Sequence, residues 1–211
     1  MKTPVKTIVF DLDGTLVDSL PDIIASFLYV LEAEGFPRPE VAAVRALVGR
    51  PLDEMFASFA EAPYLPALVA RYREHYSRHF VDTSRPYPGV AELLGELRRR
   101  GYLLVVATTK RSKMARSFVS ALRLMPLLDH VQGTDDFPHK PAPDVIHHAL
   151  AAVKGEGTWI VGDTSGDILA GRAAGLATYA VTWGTEDAAT LRGVQPDALE
   201  PTLEDLLRLA V

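Results

Sequence analysis

Two short acidic clusters stand out as residues able to do chemistry. The first, Asp11-Leu12-Asp13-Gly14-Thr15, follows the apolar run Thr7-Ile8-Val9-Phe10. The second, Gly162-Asp163-Thr164-Ser165-Gly166-Asp167, follows Trp159-Ile160-Val161. Carboxylates gathered in one crevice repel each other unless a cation lies among them. Hard oxygen donors with no Cys or His beside them favour Mg²⁺. Two other segments carry complementary groups. Leu103 to Ala107 leads into Thr108-Thr109-Lys110, which brings hydroxyls and a helix start where an anion can sit. His139-Lys140-Pro141-Ala142-Pro143-Asp144 places a cation just before another helix start, with prolines that favour extended backbone before them. Carboxylates, a divalent metal, a hydroxyl and a lysine are what phosphoryl transfer to an acid requires.

These groups act together only if the fold brings them to one edge. The runs ending at Phe10, Ala107 and Val161, a run near Val131 and the run Ala177 to Val181 read as buried parallel strands. Helical stripes lie between them. Val90, Leu93, Leu94 and Leu97 form one, Phe118, Val119 and Leu122 a second, and Val145, Ile146, Ala149, Leu150 and Val153 a third. Ser165 to Ala174 and Thr202 to Ala210 complete the set, the last with Thr202 and Asp205 at capping-box spacing. The alternation predicts an α/β fold, a doubly wound parallel, Rossmann-like sheet covered on both faces. Ligands of such sheets bind beyond the carboxyl ends of the strands, where the acidic clusters fall.

Residues 16 to 85 interrupt the alternation. They contain no convincing strand, and their apolar stripes (Leu16, Leu20, Ile23, Ile24, Phe27, Leu28, Leu31; then Leu65, Leu68, Val69, Tyr72, Tyr76, Phe80) have helical spacing. Turn signals divide the segment into about four helices. The expected organisation is a catalytic core from 1–15 and 86–211, with an all-helical cap over 16–85.

Composition bounds the partners. The chain has 211 residues, with Lys+Arg 22 against Asp+Glu 27, a net charge of −5. That argues against a nucleic-acid backbone or an anionic membrane as main partner. There is no cysteine, so disulfides and thiolate chemistry are excluded. The apolar run behind the basic N-terminus ends at Asp11, too short for a secretory signal, and no stretch approaches the roughly 20 residues of a membrane span. A cytoplasmic monomer or homodimer acting on a small phosphorylated metabolite is expected.

Asp11-Leu12-Asp13-Gly14-Thr15-Leu16-Val17-Asp18-Ser19, then Thr108, then Lys140-Pro141, then Gly162-Asp163 with Asp167, resemble the four ordered motifs of the haloacid dehalogenase superfamily. The likeness is to its phosphoglycolate phosphatase-like branch and spans essentially the whole chain, the helical insertion included. The resemblance implies that Asp11 is the nucleophile that forms an aspartyl-phosphate. It implies that Asp13 protonates the leaving oxygen and later activates water, and that Thr108 and Lys140 hold the phosphoryl oxygens. Asp11, the carbonyl of Asp13, and Asp163 would bind Mg²⁺, with Asp167 as a direct or water-mediated ligand. Thr109 stands where close relatives often have Asn. Dehalogenases lack an acid at the position of Asp13, and phosphonatases need a cap lysine that Val17 to Arg85 does not contain, so neither chemistry is expected. A pyrophosphatase, a nucleotidase and a sugar-phosphate mutase remain alternatives, and a receiver-like phosphoacceptor is the non-enzyme one. Receiver domains lack both an inserted cap and an acid like Asp13.

Outside the motifs, Arg50 in the predicted cap turn Gly49-Arg50-Pro51-Leu52 reads either as a surface-loop cation or as a group that folds over the site and reads the far end of an anionic substrate by bidentate contact. The pair His75 and His79 has helical metal spacing, but no Glu follows His75 and Arg78 would sit beside any cation, so metal binding is not expected there.

Overall fold

β1 (Lys6–Phe10) is a strand because its β-branched and aromatic residues are buried on both faces, with Ile8, Val9 and Phe10 fully inaccessible. The computed structural model describes residues 5–210, so Met1 to Pro4 of the basic N-terminus and Val211 lie outside the described residues. After β1 the chain forms β2 (Val17–Asp18) and then four helices, α1 (Leu20–Ala33), α2 (Val41–Arg45), α3 (Leu52–Ala57) and α4 (Leu65–His79). A short return strand, β3 (Arg85–Pro86), leads into strictly alternating elements: α5 (Val90–Arg99), β4 (Leu103–Thr108), α6 (Ser112–Ala121), β5 (His130–Gly133), α7 (Asp144–Val153), β6 (Glu156–Gly162), α8 (Ser165–Ala173), β7 (Ala177–Val181), α9 (Ala188–Gly193), β8 (Ala198–Glu200) and α10 (Leu206–Leu209).

The main sheet is parallel throughout, in the order β5-β4-β1-β6-β7-β8. β4 and β5 build outward on one side of β1, and β6 to β8 on the other. The order therefore reverses between β1 and β6, and a crevice opens there beyond the strand ends. Side chains alternate between the faces. Ile8, Phe10, Leu104, Val106 and Val161 pack with Leu94, Leu97 and Phe118 of α5 and α6. Val9, Val105, Ala107 and Ile160 pack with Val145, Ile146 and Ala149 of α7. The predicted doubly wound fold is the observed one.

The helices between β2 and β3 have a core of their own, built on Phe27, Leu31, Val44, Phe56, Leu68 and Tyr72. Phe27 stacks on Phe56 with centroids 4.2 Å apart. Phe80 packs against both this cluster and that of the sheet. Among the described residues no helix is long and apolar enough to cross a membrane.

Three local expectations need correction. Residues 16–85 do include strand: β2 pairs antiparallel with β3, Val17 against Pro86 and Asp18 against Arg85. Two residues are too few to show a period of two, and their partners lie far away in sequence. β8 was not foreseen; it is a short, half-buried edge strand flanked by Pro196 and Pro201. The terminal helix begins at Leu206, not Thr202. The Thr202 carbonyl is taken by the Tyr179 hydroxyl at 2.6 Å, and Thr202 Oγ1 lies 3.4 Å from Asp205 Oδ2, so no capping box forms.

Asp22 closes the helical insert. It is 4% exposed in the first turn of α1. Its carboxylate accepts from Thr83 N (3.0 Å), Thr83 Oγ1 (2.5 Å), Ser84 N (2.8 Å) and Ser84 Oγ (2.7 Å). Burial alone would raise its pKa, but these bonds outweigh burial and lower it. The folded state thus binds this proton less well than the unfolded chain does. The contribution is present above an unfolded pKa of about 3.9 and fades as pH falls through the lower folded value. Asp22→Ala should cost about 3 kcal/mol in urea denaturation at pH 7, because four donors lose a charged acceptor. The gap to the wild type should narrow as pH is lowered from about 5 towards 3.

Candidate active site

Asp11 leaves β1 with its backbone N–H bonded to Val161 O at 2.8 Å, which keeps it beside β6. The chain then turns sharply: Gly14 N reaches Val17 O at 2.9 Å, and Leu16 N and Val17 N both reach Leu12 O. Gly14 has φ +85°, and a Cβ there would collide with the Asp163 carboxylate. Only glycine meets both demands. The turn delivers Thr15 Oγ1 to Asp163 Oδ1 at 2.7 Å, while Thr185 N donates to Asp163 Oδ2 at 2.7 Å.

Asp167 is held by the start of α8. Thr164 N and Thr164 Oγ1 donate to its Oδ2 at 3.0 and 2.6 Å, and Asp167 N donates back to Thr164 Oγ1 at 3.3 Å. This capping box leaves Oδ1 facing the crevice. Lys140, with a side chain 3% exposed, donates to Asp167 Oδ1 and to Asp11 Oδ1, each at 2.6 Å. Asp11, Asp163 and Asp167 are all buried, and one oxygen from each lies within 4.8 Å of the others. Such an all-oxygen cluster of carboxyl groups fits a hard divalent cation.

Electrostatics points the same way. Burial raises Asp11 well above the carboxylate range despite the opposing pull of Lys140, and Asp167 and Asp163 push it further. Burial, then Asp167, push Asp163 up to about 7, against hydrogen bonds from Thr15 and Thr185 that favour its charge. Burial opposes the charge of Lys140, but Asp11 and Asp167 outweigh it and raise its pKa. Acids that resist ionisation in a shared dry site are what a cation would relieve.

Sequence reasoning placed these residues together, and the structure brings Asp11, Asp163, Asp167 and Lys140 into direct contact or close approach. Thr108 ends β4 beside β1, where Val106 pairs with Phe10. It is 1% exposed, and its hydroxyl accepts from Lys110 N at 3.2 Å, which leaves its proton to donate. The side chains of Thr109 and Arg50 enter no hydrogen bond or ion pair among the described residues. Arg50 is exposed, but its turn reaches the site: a Cβ on Gly49 would sit 3.4 Å from Thr164 Cγ2. A second insert arginine, Arg45, donates to Gly184 O at 2.7 Å, next to the Thr185 amide that binds Asp163. His75 and His79 are no metal pair. Their rings stack at 4.3 Å, and His79 Nδ1 pairs with Asp82 at 2.8 Å.

The partners of Asp13 were not foreseen from the sequence. Its Oδ1 accepts from Ser19 Oγ at 2.5 Å, and Lys110 Nζ reaches both carboxylate oxygens at 2.7 Å. Thr15, Thr164, Thr185, Ser19 and Lys110 were not assigned to the site. Lys110 carried a signal, since it follows Thr108-Thr109 at a strand exit.

With the Asp163 pKa pushed up to about 7, a divalent cation held among Asp11, Asp163 and Asp167 would compete with the proton on Asp163. Mg²⁺ affinity should therefore fall by roughly tenfold between pH 8 and pH 6, with proton release at pH 6. Calorimetry in buffers of different ionisation enthalpy checks this; equal affinity at both pH values with no proton release contradicts it.

A family profile described as haloacid dehalogenase-like hydrolase matches residues 8–181. A phosphoglycolate phosphatase from Caulobacter vibrioides is 37% identical over 188 residues, covering 84% of this chain and 79% of that protein. The pyrophosphatase PpaX from Bacillus mycoides is 32% identical over 206 residues, covering 96% and 95%. The solved structure of a haloacid dehalogenase-like family hydrolase from Streptococcus pneumoniae is similar at TM-score 0.89 and 32% identity, covering 98% of both chains. Both acidic clusters, Thr108 and Lys140 fall inside the matched span, and the chain belongs to the haloacid dehalogenase-like hydrolases.

Proposed function

We propose that the chain is a Mg²⁺-dependent phosphatase that hydrolyses a small phosphate monoester through an aspartyl-phosphate on Asp11, with 2-phosphoglycolate as the favoured substrate. The observation that carries this reading is Lys140, bonded to Asp11 and Asp167 at 2.6 Å in a buried crevice shared with Asp163. Asp11, the carbonyl of Asp13, Asp163 and Asp167 would hold the ion. Bound there, it would supply positive charge against the anionic phosphoryl group.

Asp11 Oδ2, the oxygen that Lys140 leaves free, attacks phosphorus while the ester P–O bond breaks. Asp13 gives its proton to the departing oxygen. Thr108 and Lys140 bind the phosphoryl oxygens. In the second half, Asp13 takes a proton from water. That water attacks phosphorus, the bond to Asp11 breaks, and phosphate leaves with the Asp11 carboxylate restored. Asp11→Asn is nearly isosteric and should fold, yet lose turnover to below a few per cent of wild type, roughly the 10²-fold or more expected of a missing nucleophile. Steady-state hydrolysis of para-nitrophenyl phosphate with Mg²⁺ measures it, and substantial residual activity contradicts the aspartyl-phosphate.

The groups in the crevice touch only the phosphoryl end, so choice of substrate falls to the helical insert acting as a cap. Phosphoglycolate is favoured by the phosphoglycolate phosphatase relative and by Arg50, a cation unpaired among the described residues, on the turn that overhangs Thr164. Pyrophosphate is the second reading, favoured by the pyrophosphatase relative. Arg50→Ala should lower kcat/KM for phosphoglycolate by about 2 kcal/mol and barely change it for para-nitrophenyl phosphate, which has no carboxylate to bind. A wild-type preference for pyrophosphate in the same assay would replace phosphoglycolate with the second reading.

A further inference from the structure

Lys110 is a largely buried cation for which the four motifs give no task. Its Nζ lies 2.7 Å from each carboxylate oxygen of Asp13, and both side chains are 11% exposed. Behind the ammonium stand two aromatic faces, Tyr76 at 5.0 Å and Phe118 at 5.1 Å. Tyr76 belongs to α4 of the helical insert and Phe118 to α6 of the core, so both units form the seat. Cation–π attraction in a site this dry holds the ammonium in place. Lys110 shows no bond to Asp11, Asp163 or Asp167, the residues around the expected phosphoryl position. Its charge-assisted bonds go to Asp13.

A carboxylate held by one oxygen can still swing about its terminal torsion, which has a broad, shallow profile. Ser19 holds Oδ1 alone. A donor that bridges both oxygens fixes the plane. We propose that Lys110 is a positioning residue for the acid–base step: it sets the plane and reach of the Asp13 carboxylate, and Tyr76 and Phe118 set the position of Lys110. This rests on the reading of Asp13 as the group that protonates the leaving oxygen. In that step one proton passes from Asp13 to the departing oxygen, and Lys110 keeps its own protons throughout.

A residue that acts through Asp13 matters in proportion to the leaving oxygen's need for a proton. An alkoxide needs one; para-nitrophenolate departs without it. The test is kcat/KM for an alkyl ester, 2-phosphoglycolate, and for para-nitrophenyl phosphate, both on the same preparation of Lys110→Met. The ratio of the two is independent of how much of the variant is folded. Where turnover stalls, the single-turnover rate of alcohol or phenolate release takes its place. The alkyl-to-aryl ratio should fall about 30-fold, part of the 10² to 10⁴ that positioned acid–base catalysis supplies. Asp13→Asn should lower it further, and Lys110→Arg should recover part of the loss. Inhibition by inorganic phosphate should stay within about twofold of wild type, because the phosphoryl grip is untouched.

Equal losses on both esters in Lys110→Met, with Asp13→Asn still selective, would overturn the positioning role and leave the acid role of Asp13 standing. A phosphate inhibition constant that rises in step with the lost kcat/KM would reassign Lys110 to phosphoryl binding. Equal losses in Asp13→Asn itself would remove the acid role of Asp13, and the role of Lys110 with it.

Discussion

The ammonium of Lys140 is shared between Asp11 and Asp167 where none of the three side chains meets much water. An isolated carboxylate buried there would forfeit its hydration with nothing in return. One lysine between two acids, with a third acid nearby, still leaves the crevice short of positive charge, and Asp163 responds with a pKa of about 7. The arrangement is stable only as a set. Each acid is fixed by its own local bonds, Asp163 by Thr15 and Thr185 and Asp167 by its capping box, so the repulsion cannot relax by rotation. That mismatch is one that a divalent cation among the acids would relieve.

The sheet is what holds the set together. β1 and β6 are hydrogen-bonded neighbours, yet the chain reaches them from opposite directions of winding. The acids after β1 and after β6 therefore meet, and β4 brings Thr108 and Lys110 from the other side. Apolar packing on both faces fixes these strands without using any polar residue of the crevice. The core can be rigid while the chemistry stays concentrated in loops at one edge.

The helical insert is tied down differently. It has a core of its own, mixed aliphatic and aromatic and joined to that of the sheet at Phe80, and its two chain connections are tied by the β2–β3 pair and by Asp22. Arg45 adds a contact to Gly184, and Tyr76 supports Lys110, so the insert touches the site through a few polar and aromatic contacts. A unit with its own core and a narrow base is suited to move as a body.

The sequence alone was enough to read five of the six strands of the main sheet, to read residues 16 to 85 as a mainly helical insertion after the first of them, and to single out Asp11, Asp13, Lys140, Asp163 and Asp167 as the acids and the cation at the strand ends. The reason is physical: fully buried strands read as continuous apolar runs, and acids stranded at their ends have no structural reason to cluster. Short pairings such as β2 with β3, and the edge strand β8, left no periodic signal because a few residues cannot show a period. Apart from the local capping box of Thr164 and Asp167, which groups hold the acids was decided by tertiary structure. Asp13 meets Lys110 across 97 positions of chain, and Asp163 meets Thr15 across 148. No local propensity encodes such pairs. They form because packing both faces of one sheet leaves the strand ends nowhere else to go.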